Sequence, residues 1–202
     1  TFANPLDLGA IFSLKLNSHI LSTSGNVSDL FDDIPDLDAR LDFDGAAAEK
    51  VNGSLFVRTS TDASSYGSYN KFQSGTFRAR AFDFKLELDS EDTNENILVA
   101  ELGVDAFLQA RTEQSTTLIA SGAGAKDVTF AAPFFTGTSA IGGSTSAYPP
   151  SIGITAQNMA SGDFFEITNI TGSGFRITFK NSSNTAIDRN FSYSAVGYGR
   201  GG

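Results

Sequence analysis

The chain has 202 residues, 40% of them hydrophobic and 11% aromatic, enough for one large β domain or two small ones. A net charge of −9 argues against non-specific nucleic-acid binding and disfavours an anionic membrane surface. The absence of Cys excludes a disulfide framework and a cysteine metal site, and no apolar run approaches the roughly 18 residues of a membrane helix. The sequence begins at Thr1 rather than Met, which fits a trimmed product or a fragment and leaves targeting signals unread. Eighteen Phe against no Trp, with 20 Gly, fit a strand-forming core broken by many turns.

In chain order, "AIFSLKLN" alternates strictly: Ala10, Phe12, Leu14 and Leu16 share one face and Ser13, Lys15 and Asn17 the other, as in a half-buried strand. His19 follows as a strand-end side chain; a hydrolytic triad would need a nucleophile beside it, and no nucleophile-elbow motif is present. "LFDDIPDLDARLDFDG" carries six Asp between Asp32 and Asp44. That density suits either a solvated loop with Asp-capped turns or a calcium site, although the EF-hand spacing is absent. "DGAAAEKVNG" allows at most one helical turn, and "GSLFVRTS" (53–60) is a second strand. "FDFKLELD" (82–89) points Phe82, Phe84, Leu86 and Leu88 inward, with Phe77, Ala79 and Ala81 in the opposite phase, which predicts a bulge or a change of partner near Ala81. Arg58, Arg78 and Arg80 fall on one sheet face, where surface carboxylates can pair with them. "LVAELGVDAFL" (98–108) places Leu98, Ala100, Leu102, Val104 and Leu108 on one face.

From about Arg111 a second unit begins. "EQSTTLIA" and "DVTFAAPF" read as a hairpin around "SGAGA", and "SGAGAK" lacks the spacing of a phosphate loop. "PSIGITAQN" follows a Pro-Pro stop, "DFFEITNI" and "GFRITFKN" are joined by "TGSG", and "RNFSYSAVG" ends the series. About six strands in about ninety residues suit a small sandwich. The predicted fold is therefore all-β: two antiparallel β-sandwich units, residues 1–110 and 111–202, packed closely without a long linker. Of the adjacent Phe164 and Phe165, one points out of such a sandwich, and another subunit would cover it.

The stretch "GFRITFKN" (174–181) followed by "FSYSAVGYG" (191–199) resembles the C-terminal end of siphophage tail-tip and host-specificity proteins and of related gene-transfer-agent fibres. The six-strand pattern also resembles the H-type lectin fold. "LDLGAIF" (6–12), "LFDD" (30–33) and "GTFRARAFDFKLELDSED" (75–92) resemble the jelly-roll module preceding it, so the resemblance spans nearly the whole chain. It implies a virion protein of the phage tail that binds a host glycan or envelope protein as a homotrimer, beside other tail-tip proteins and without enzymatic activity, cofactor or bound metal. A structural hub holding other fibres is the alternative, and a polysaccharide-degrading enzyme, whose paired carboxylates the sequence leaves open, a third reading. "FFTGTSAIGGSTSAYPP" is longer than the connection usual in that family, and is expected to form a tip-exposed feature. A chain ending in a paired strand with Tyr198 and Arg200 just beyond needs no flexible tail at a fibre tip. By chemistry and loop position alone, the candidate receptor contacts are Tyr148, Asp163, Tyr198 and Arg200: Tyr rings stack on apolar sugar faces, while Asp and Arg bond hydroxyls. Asp163 as a turn cap and Arg200 as a frayed end are the structural alternatives.

Overall fold

The structure, a computed structural model, describes residues 4–26, 51–91 and 95–199. Their regular elements are all strands, paired antiparallel throughout. The Asp-rich segment and Arg200 lie outside the described residues, as does most of the stretch read as a helical turn; its end, Val51–Gly53, is strand.

The first unit is built from β1 (Leu6–Asn26), β2 (Val51–Ser60), β3 (Asn70–Lys71), β4 (Gly75–Ser90) and β5 (Glu95–Leu108). They form one sheet in the order β3-β2-β4-β1-β5. β2 and β5 share no ladder yet lie close, so the sheet curls around a single core. The alternation of β1 is realised as read: Phe12, Leu14 and Leu16 are buried, and Ala10 packs against them. The irregularity expected near Ala81 is present, but its extra residues lie on β1: Asp7 pairs with Ala81 and Phe12 with Ala79, so five steps along β1 oppose two along β4. Gly9, at φ +81°, lies within this bulge. β4 changes phase there, which lets Phe77 of one parity meet Phe82 of the other at 5.7–6.2 Å in a chain of rings with Phe72.

Two features depart from the sequence reading. β1 runs on to Asn26, so His19 is mid-strand rather than at a strand end. Its ring lies over Gly103, with Nε2 3.3 Å from Glu101 and Nδ1 3.5 Å from Asp105. Leu88 and Leu98, expected inward, are 48% and 67% exposed. For Leu98 the cause is a bulge: Leu21 pairs with Glu101 but Ser22 with Val99, so Ala100 is extra on β5 and Leu98 falls on the face away from Leu102, Val104 and Leu108. Leu88 keeps the phase of Leu86 but lies toward the end of β4, where that strand pairs only with β2.

The second unit comprises β6 (Ala110–Gln114), β7 (Ile119–Ala120), β8 (Ala125–Thr129), β9 (Ser151–Gln157), β10 (Phe164–Thr171), β11 (Gly174–Lys180) and β12 (Asn190–Tyr198). Its two sheets face each other. In one, β12 is central, with β9 along one edge and β6 then β7 along the other; the other has the order β10-β11-β8. Between them Phe175, Ile177 and Phe179 of β11 meet Phe191, Tyr193 and Ala195 of β12. Ten Phe side chains are buried among the described residues, each contributing about 2–3 kcal/mol by removal from water, which accounts for the Phe-rich composition.

The hairpin of β10 and β11 closes across Gly172–Ser173 as predicted. The hairpin expected around "SGAGA" does not form. β7 pairs with β12 and β8 with β11, so residues 121–124 cross from one sheet to the other. The crossing is held by long-range bonds that short spacing cannot reveal: Ser121 Oγ accepts from the Arg189 amide at 2.9 Å, and the Gly122 amide donates to Asp188 at 2.7 Å. Phe165 meets Phe179 at 5.6 Å and Phe164 shares the other face of β10 with the Lys180–Glu166 ion pair, yet both rings stay exposed, at 40% for Phe164 and 39% for Phe165.

The segment after β8 joins the two units. The Arg111 guanidinium lies 3.9 Å above the Phe134 ring and donates to the Ala132 carbonyl at 2.7 Å. Phe134 fills the second core, but its neighbour Phe135 turns into the first, edge-on to Phe12 at 5.7 Å. Ile141 follows it there. The long connection is thus partly a wedge between units rather than wholly a projecting tip.

Candidate binding site at the junction of the two units

Tyr148 and Tyr198, fifty positions apart in sequence, meet edge-to-face at 6.1 Å with an interplanar angle of 77°. Both rings are exposed, at 40% and 47%. With Phe107, Leu108, Phe135 and Ile141 they line an open apolar cleft of about 250 Å³. Local chemistry holds each ring. Tyr198 is the last residue of β12, and paired to Ala110. Its carbonyl accepts from the Phe135 amide at 2.8 Å, and the next amide, Gly199, donates to Gln109 at 2.9 Å. Gly199 has φ +90°, and a Cβ there would stand 2.7 Å from the Phe12 ring, so only glycine lets the chain turn so close to the first core. The Tyr148 amide donates to the Thr136 carbonyl at 2.9 Å, Thr136 Oγ1 donates to Thr145 at 2.7 Å, and the Tyr148 ring lies against Gly142. The backbone under both rings is therefore fixed by hydrogen bonds.

Asp163 stands apart from this cleft. Its side chain is 4% exposed, accepts from the Ala160 amide at 2.8 Å and is ion-paired with Arg189. The amide bond first, then Arg189, holds its carboxyl below the ordinary aspartate range. It caps its turn, the structural alternative that the sequence also offered. Phe107 is the residue that sequence reading missed. It sits at the outward phase of β5 between the inward Ala106 and Leu108, 52% exposed. A large aromatic at a polar phase of an alternating strand was the available signal.

On the outer face of the first sheet, two of the three arginines read as neighbours are neutralised. Arg80 is bidentate to Asp7 at 2.9–3.0 Å. Arg58 pairs with Asp83 at 2.7 Å, and Tyr69 donates to the same carboxylate at 2.7 Å. Burial pushes the Asp83 carboxyl up, but the bonds from Tyr69 and Arg58 outweigh it and leave it below its ordinary value. Among the described residues, no His, Asp and Glu gather into a metal-holding group, and no helix is long and apolar enough to cross a membrane.

No family model matches the sequence, and no curated protein matches it. Among solved structures, discoidin II of Dictyostelium discoideum is similar over 95% of this chain and 74% of that one, at 13% identity and a TM-score of 0.29. A likeness of that size transfers neither a site nor a ligand to this chain.

Proposed function

We propose that this chain is a receptor-binding component at the distal end of a phage tail, part of the virion, working as a homotrimer and without catalysing a reaction. The observation that carries the binding role is the exposed Tyr148–Tyr198 pair, held by backbone bonds over an apolar cleft to which both units contribute. Rigid tyrosines give amphipathic contact area at low entropic cost, which suits the apolar face of a sugar ring. The likeness of "GFRITFKN" and "FSYSAVGYG" to the ends of tail-tip proteins supports the virion setting. The hub reading draws on a different observation, the exposed Leu21 and Leu98 on the paired ends of β1 and β5, which suit contact with a neighbouring tail protein.

Competition with virions for host cells tests the reading. The free protein is expected to reduce adsorption. Tyr148→Ala with Tyr198→Ala should weaken binding about thirtyfold or more while leaving the fold intact. Unchanged competition by that double variant overturns the junction cleft as the receptor site, and no competition by the unmodified protein leaves the hub reading in its place.

A further inference from the structure

Eleven Lys and Arg side chains are described, and seven of them are in ion pairs with carboxylates. Lys15, Lys71, Arg78 and Lys126 have no hydrogen-bond or ion-pair partner among the described residues. In a chain of net charge −9, carboxylates are abundant, so cations left without one among the described residues stand out. Two of the four are neighbours. Lys15 pairs across the ladder with Thr76, and Arg78 with Ser13, which places the two cations diagonally on the exposed outer face of β1 and β4. Diagonal neighbours in a sheet lie about 7–8 Å apart, close enough for one anionic group to reach both. Asp105, the acidic diagonal neighbour of Lys15 on β5, is directed to His19.

A recess opens beside this pair. Ser13, Leu14, Lys15, Thr76 and Gln109 line it, and it measures about 300 Å³. The ladder ties this site to the junction cleft: Phe107 is the direct partner of Lys15, so the two side chains share a face, and Phe107 lines the cleft with Tyr148 and Tyr198. Gln109, whose carbonyl holds the Gly199 amide, joins the recess to the end of β12.

From this juxtaposition we infer that the ligand is an acidic polysaccharide, with a sugar ring stacked in the tyrosine cleft and a carboxylate or phosphate of the same polymer held between Lys15 and Arg78. The inference rests on the binding role proposed for the cleft and adds the chemical class of the ligand. Two charge-assisted bonds, from Lys15 at the recess and Arg78 diagonal to it, select an anion, whereas the net negative charge of the chain repels one at long range. Selectivity is therefore local and salt-sensitive.

Three probes test it: polygalacturonate, a glycerol-phosphate polymer and neutral dextran, each measured against the full chain at low and high salt. The unmodified protein is expected to bind one polyanion at least about tenfold more tightly than dextran, with the margin shrinking in salt. Which polyanion is preferred separates carboxylate from phosphate. Lys15→Gln with Arg78→Gln should abolish the margin, while Lys126→Gln, which removes an unpaired cation from the second unit, should leave it unchanged. Tyr148→Ala with Tyr198→Ala should weaken all saccharide binding without changing the preference for charge. A polyanion margin that is absent from the unmodified protein, survives Lys15→Gln with Arg78→Gln, or falls equally with Lys126→Gln overturns the inference and leaves the tyrosine cleft standing. Competition with virions that is lost in the tyrosine variant, combined with no binding to any of the three polymers, assigns the cleft a receptor of another class and overturns the inference as well.

Discussion

Asp163 shows how one carboxylate is committed to the fold. It sits just before β10, receives the Ala160 amide and binds Arg189, which itself precedes β12. Since these bonds hold its carboxyl below the ordinary value, the folded state favours the ionised form. The stability it contributes is complete above the ordinary aspartate range, about pH 4, and is lost as pH falls through the lower folded value. Asp163→Asn should therefore lower the thermal midpoint at pH 7, with the gap to the unmodified protein closing below about pH 4. A gap that stays constant down to pH 2 would show that the charge is not what the turn uses. The capping role was legible in the sequence as an Asp between a Gly and a strand. The meeting of Tyr148 and Tyr198 was not, because both were picked for chemistry and loop position, and only the path of residues 135–148 brings them together.

Among the elements, β12 carries most of the second unit. It is bonded along both edges, its inward residues Phe191, Tyr193 and Ala195 form the core, and its last residue shapes the cleft. Gly197 continues that inward phase, and a Cβ there would lie 2.7 Å from the Phe134 ring, the ring that Arg111 covers from another side. Gly197→Ala should cost about 1–3 kcal/mol by overpacking and shift Phe134, a change readable by denaturant titration. A variant as stable as the original would mean that Phe134 yields freely. The alternation of β12, β11 and the first half of β1 was plain in the sequence because each buries a run of alternate apolar residues. Sheet membership was not: β7 and β8 are separated by a stretch with every local mark of a hairpin tip. Their true partners, Ser121 with Arg189 and Val128 with Phe175, lie dozens of positions away. Leu88 was misread because alternation reports which residues share a face but not whether another layer covers it, and Leu98 because the extra residue at Ala100 reverses the phase of β5.

For the whole molecule, the proposed homotrimer has a definite surface to account for. β10 is an edge strand, and Phe164, Phe165 and Ile170 on it are 40%, 39% and 41% exposed. Unpaired edges with apolar side chains invite association, and closed cyclic symmetry satisfies them without open-ended growth. Light scattering at micromolar concentration is expected to give three times the 21.3 kDa of one chain. A stable monomer overturns the trimer for this chain. Within one chain, Phe135 lies in the first core while Phe134 lies in the second, and Gly199 of the last strand's end presses on Phe12 of the first strand. Heredity feels that stitch. Recombination between related genes can exchange a module cleanly only if its working surface lies inside the exchanged piece. Here the cleft draws Phe107 from one half and Tyr148 and Tyr198 from the other. A crossover between them would pair a groove floor with walls that evolved over a different one. On the binding role proposed for the cleft, new ligand preferences should therefore arise by point changes around the loop that carries Tyr148, or by inheritance of both halves together.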